Sequence, residues 1–144
     1  MLIYCDSSAL VKLVIEEPES AELAAFIQES DGEIVASRIA ETELQRAVGR
    51  RLADTQSTRA DRGELSELMS EKVTNVLLRI TFIEVTPSIA RIAGALEPVT
   101  LRSLDAIHLS SSLVLADEIE TFICYDDRLS QAARRLGFVV ASPA

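Results

Sequence analysis

LIYCD, residues 2–6, runs straight into SSALVKLVIEE, residues 7–17, and this junction decides the fold. Four apolar residues ending on an acid read as a buried first strand. The next stretch places Leu10, Leu13 and Val14 at helical spacing, with Ser7 or Ser8 as the expected cap and Pro18 as the expected stop. A buried strand that feeds directly into an amphipathic helix is the opening unit of an α/β protein.

The pattern repeats outward from that unit. ESAELAAFIQES, with Leu23, Phe26 and Ile27 on one face, predicts a second helix. Asp31-Gly32 predicts a turn into a second strand, EIVAS at 33–37. Two long helical stretches follow, at 38–54 and 58–80, separated by a break at 56–58. Their stripes run through Ile39, Leu44 and Val48, then Leu65, Leu68, Met69, Val73 and Val76. These stripes are core, or in part a groove or dimer face. FIEVT (82–86) predicts a third strand and SIARIAGALE a helix between Pro87 and Pro98. LRSLDAIHLSSSLVLAD predicts another helix, TFICYD (121–126) a fourth strand, DRLSQAARRLG a last helix and FVVAS (138–142) a final strand. The order β-α-α-β-α-α-β-α-α-β-α-β predicts a three-layer α/β/α sandwich whose central sheet of four to five strands is mostly parallel. All 144 residues read as one unit.

Four carboxylates stand at the ends of these elements: Asp6, Glu43, Asp105 and Asp126. Ligands of open α/β sheets bind beyond the carboxyl ends of the strands, so neighbouring first and fourth strands would bring Asp6 and Asp126 to one rim. Asp105 and Glu43 lie on helices that can lean over it. Each acid also has a plainer reading: Asp6 as a helix cap, Asp105 as a complement to a helix dipole, Asp126 as a turn residue before a capping Asp127, Glu43 as a surface neighbour of Glu41. Together they point to a hard cation held by oxygens, because packed carboxylates otherwise repel.

The net charge of −9 argues against a broad basic surface for nucleic acid, though a bound cation inverts the field of an acidic pocket. The positive charge is nearly all arginine; Lys12 and Lys72 are the lysines. Cys5 and Cys124 form no C-x-x-C pair and read as reduced thiols of a cytoplasmic protein. No apolar run is long enough to cross a bilayer, and the N-terminus does not read as a signal peptide. His108, the sole histidine, reads as a packed residue, which argues against paired-histidine ribonuclease chemistry. Ser110–Ser112 lack a G-x-S-x-G frame, and no phosphate-binding glycine loop is present. Ser8, where an aspartyl-nucleophile phosphatase would carry a second Asp, disfavours that class; a receiver domain's late lysine is also missing.

IYCDSSALVKL, SRIAETELQRAV, LRSLDAIHLSSSLVL and FICYDDRLSQAARRLGFVV together resemble PIN-domain proteins, and specifically the VapC toxins, over essentially the full length. The resemblance implies that Asp6, Glu43, Asp105 and Asp126 are a catalytic, metal-binding quartet for Mg²⁺ or Mn²⁺. It selects Glu43 over Glu41 by Leu44 and Arg46, and Asp126 over Asp127 by the spacing to Arg128-Leu129. It implies an endoribonuclease that cleaves structured RNA, tRNA or rRNA, to 5′-phosphate and 3′-hydroxyl ends. It also implies a homodimer neutralised by a VapB-like antitoxin; no DNA-binding motif is visible within this chain. One departure is Cys124, where the family often has Thr, with Ser7 as a candidate to supply the missing hydroxyl. The rival reading is a PIN-like interaction module without activity.

Overall fold

β1 (Leu2–Cys5) lies at the centre of a five-stranded sheet of order β3-β2-β1-β4-β5. The structure, a computed structural model, describes residues 1–55 and 58–144. The remaining strands are β2 (Glu33–Ser37), β3 (Ile80–Ile83), β4 (Ile119–Ile123) and β5 (Val140–Ala141). Every pairing is parallel, so all five carboxyl ends share one rim.

Alternation along the strands divides the core in two. Ile3, Cys5, Ile34, Ala36 and Ile123 face one layer. That layer is covered by α1 (Ser7–Val14), α2 (Ser20–Ser30), α3 (Ile39–Asp54) and α4 (Arg59–Leu77). Tyr4, Val35 and Phe122 face the other, covered by α6 (Ser103–Leu113) and α7 (Asp127–Arg135), with α5 (Pro87–Ala93) against α6. The expected three-layer arrangement is therefore present, with five strands. The two long stripes are mostly core: Leu44, Val48, Met69 and Val73 are buried, while Leu68 and Leu78 are exposed.

Several boundaries differ from expectation. α1 starts from Asp6, not Ser7 or Ser8, and ends at Val14 with Ile15 as its cap, well before Pro18. β3 ends at Ile83 because Arg38 N–H takes the Ile83 carbonyl (2.9 Å) and Thr86 then caps α5. α5 ends at Gly94 rather than Pro98. β4 stops at Ile123; Cys124 N–H still reaches Ala141 O at 3.1 Å, and Asp126 then caps α7. The break expected at 56–58 falls partly on 56–57, outside the described residues; Thr58 caps α4.

Candidate active site

Asp6 leaves β1 at the point where β1 and β4 are paired, its N–H donating to Ile123 O at 3.2 Å. The residue is 3% exposed. Oδ1 accepts from the Ser8 hydroxyl (2.6 Å) and from Ala9 N–H (3.1 Å), which caps α1. Oδ2 accepts from the Cys124 thiol at 3.3 Å. Burial pushes the Asp6 carboxyl pKa up, opposed by Ser8, His108, Ala9 and Cys124. Burial also pushes the Cys124 thiol up, to about 12, so at neutral pH it stays protonated and can donate.

The hydroxyl beside Asp6 belongs to Ser8, not to Ser7 as the sequence suggested. With Asp6 as the cap, the residue two further on folds back to its carboxylate, while Ser7 lines the neighbouring cleft. Ser8 Oγ in turn accepts Tyr125 N–H at 2.9 Å and so ties the start of α1 to the loop after β4.

Asp126 caps α7, accepting Leu129 N–H at 2.8 Å, so the plainer reading with Asp127 as cap does not hold. Its own N–H meets Cys124 Sγ at 3.3 Å. Asp105 is half-buried in the first turn of α6. Its pKa is raised by burial and then by the negative charges of Asp126 and Asp6, against lowering by His108 and Arg102. Asp105 therefore lies within electrostatic reach of both Asp126 and Asp6. Glu43 joins them through His108, whose Nε2 lies 2.7 Å from Glu43 Oε2. Among the described residues none of the four acids is ion-paired to a lysine or arginine. As the side chains stand, no three His, Cys, Asp or Glu among them converge tightly enough to hold one ion.

A cleft of about 520 Å³ opens beside Glu43. Ser7, Lys12, Arg46, Arg50, Leu104 and Tyr125 are among its lining residues. Lys12 sits over the Tyr125 ring at 4.7 Å and bridges Glu17 and Glu19.

Residues 3–135 match the PIN domain family. Over 99% of this chain and 97% of the relative, the sequence is 37% identical to Ribonuclease VapC47 of Mycobacterium tuberculosis. This chain belongs to the VapC family of PIN-domain proteins. A second VapC relative from that organism, Ribonuclease VapC46, is 34% identical over 99% of this chain and 98% of its own length. Solved VapC structures show the same fold at low identity. In the VapBC2 complex of Rickettsia felis bound to a promoter DNA fragment, one chain superposes with a TM-score of 0.68 at 15% identity, covering 100% of both chains. Mycobacterium tuberculosis VapC20, a Sarcin-Ricin loop cleaving toxin, gives 0.66 at 17% identity over 98% of this chain and 99% of the other. No helix among the described residues of this VapC-family chain is long and apolar enough to cross a membrane.

His108, read from the sequence as a packed residue, is indeed buried, but its bond to Glu43 was not foreseen; nor was the bond of Ser8, read as a possible cap, to Asp6. His108 stands three residues after Asp105, one turn along the same helix face, and that spacing was the available signal.

Proposed function

We propose that this chain is a metal-dependent endoribonuclease, the toxin of a toxin–antitoxin pair, with Asp6, Glu43, Asp105 and Asp126 as its catalytic, metal-binding acids. The observation that supports the reading is Asp105 standing within electrostatic reach of both Asp126 and Asp6 at the rim, with no lysine or arginine paired to any of the four acids among the described residues. The donors are carboxylate oxygens, which suit Mg²⁺ or Mn²⁺. When bound, such a cation supplies positive charge against the scissile phosphate and a more acidic water.

The chain's own residues do the rest. Asp6 is oriented by three donors, from Ser8, Ala9 and Cys124. Asp126 is likewise fixed by Leu129 N–H. Attack of water on phosphorus, with departure of the 3′-oxygen as a hydroxyl, leaves 5′-phosphate and 3′-hydroxyl ends. Structured RNA, tRNA or rRNA, is the proposed substrate class. The cleft with Lys12, Arg46 and Arg50 beside apolar Val11, Leu104 and Tyr125 suits the tail of a VapB-like antitoxin on a homodimeric toxin.

The test is cleavage of total cellular RNA by the purified, antitoxin-free protein with Mg²⁺ or Mn²⁺, beside Asp6→Asn and EDTA controls. Cleavage that disappears in both controls supports the assignment. Cleavage that survives Asp6→Asn removes the quartet as its source. Metal binding without cleavage of any RNA would favour the interaction module.

A further inference from the structure

A line of buried hydrogen bonds links α6, the end of β2, β1 and α3. Ser111 Oγ donates to Ser37 Oγ at 2.9 Å, and Ser37 N–H donates to Tyr4 Oη at 3.3 Å. Tyr4 Oη lies 2.9 Å from His108 Nδ1, and His108 Nε2 lies 2.7 Å from Glu43 Oε2. Tyr4, Ser37 and Ser111 are 0% exposed and His108 is 1% exposed.

The polarity of this line follows from its fixed ends. A backbone N–H can only donate, so Tyr4 Oη accepts from Ser37. The phenol proton is then free to donate, and the acceptor in reach is His108 Nδ1. A neutral imidazole with Nδ1 as acceptor carries its proton on Nε2. Nε2–H faces the Glu43 carboxylate, which can only accept when ionised. Every donor meets an acceptor. The opposite tautomer would set two acceptors against each other at 2.7 Å and leave the phenol proton without a partner.

We infer that His108, held as the Nε2–H tautomer by Tyr4, is the positioning residue that fixes Glu43 at the rim. The tautomer rests on the hydrogen bonds alone; the consequence for metal binding rests on the proposed function. Glu43 lies within α3 with its side chain 23% exposed and, among the described residues, with no hydrogen bond other than the one from His108. Without that bond its long side chain would sample many rotamers. Oε2 is committed to His108, which leaves Oε1 for a ligand. His108 also sits one turn beyond Asp105 on α6, so one helix carries one acid of the quartet and the group that orients another.

Core packing alone would also bury a histidine here, and the test separates the two roles. Tyr4→Phe keeps the ring that stacks on Phe122 at 4.7 Å and removes only the hydroxyl. His108 is the sole histidine, so ring ¹⁵N shifts of the metal-free protein report its tautomer without overlap. The expected result is Nε2–H in the wild type; in Tyr4→Phe the Glu43 carboxylate still selects Nε2–H, but the ring loses its anchor at Nδ1. Mn²⁺ affinity, measured by calorimetry on variants whose fold is checked by circular dichroism, should fall by about 10- to 100-fold in Tyr4→Phe and His108→Ala. His108→Gln, whose amide can still donate to Glu43, should recover most of the loss. An Nδ1–H wild type would overturn the relay. Equal Mn²⁺ affinity across the variants would overturn the positioning role alone. A wild type that binds no Mn²⁺ would sink the metal reading of the site, and the positioning role with it.

Discussion

Asp6 uses its carboxylate twice. One oxygen caps α1 through Ala9 N–H, and the other takes the Cys124 thiol. The capping role of this acid is therefore compatible with its proposed catalytic role, which is why sequence alone could not choose between them. Asp6→Asn keeps the capping oxygen while removing a buried charge. Its expected signature is a loss of RNA cleavage of about 100-fold or more with a metal-free melting temperature no lower than wild type. A variant that melts early would show the charge to be structural. Cys124→Ser tests the departure from the family's usual Thr. A hydroxyl is a stronger donor than a thiol and should stabilise ionised Asp6, so the Mg²⁺ concentration for half-maximal cleavage should fall a few-fold. An increase would show that the smaller side chain has loosened the buried site. The positions of Asp6, Asp105 and Asp126 at or near element ends were legible, but the groups that contact Asp6 and Glu43 were not. The His108–Glu43 bond spans 65 residues, and nothing in the spacing of either residue announces the other. Ser8 was misassigned to Ser7 because the choice between adjacent serines depends on which residue caps the helix.

At the scale of elements, α3 carries Glu43 and must lie at a fixed depth for it to reach His108. Leu44, adjacent to Glu43 and 0% exposed, anchors the helix in the layer it shares with Leu10 and Leu23. Leu44→Ala should cost about 2–5 kcal/mol, read as a lower midpoint in urea unfolding with an unchanged slope. A loss below about 0.5 kcal/mol, the range of neutral surface changes, would mean that the helix is held elsewhere. The order of all twelve elements was legible, since most switches between strand and helix are marked by an acid, a proline or a glycine; the exceptions are Arg38 between β2 and α3 and Leu78-Arg79 between α4 and β3. The ends of β3 and β4 were not, because apolar residues continue past the last ladder bond. Val85 and Tyr125 look like strand by composition, but the chain has by then turned to cap α5 and α7. Only the positions of Thr86 and Asp126 as caps set those limits, and capping is decided by tertiary approach as much as by residue type.

Across the whole molecule, a net charge of −9 surrounds a rim where Asp126 and Asp6 press on Asp105, with no lysine or arginine paired to these acids among the described residues. The stability of the metal-free protein should therefore depend on pH in a defined sense. Asp6 and Asp105 both have folded pKa values raised, first by burial. In the unfolded chain they titrate near 3.9. Between that value and the raised ones the folded state binds more protons than the unfolded state, so stability falls as pH rises. The contribution is whole below the unfolded pKa and is lost as pH passes through the folded pKa. Each tenfold difference in proton affinity corresponds to about 1.4 kcal/mol. Glu19 and Glu84, held low by Lys12 and Arg38, act in the opposite sense, but they are exposed and their pairing is screened by solvent. Thermal melting in EDTA should accordingly give a higher midpoint at about pH 5 than at about pH 7.5. Mg²⁺ competes with protons for the same carboxylates, so millimolar Mg²⁺ should raise the midpoint more at the higher pH. A Mg²⁺ effect equal at both pH values, or one that persists undiminished in Asp6→Asn, would place the bound cation away from this rim.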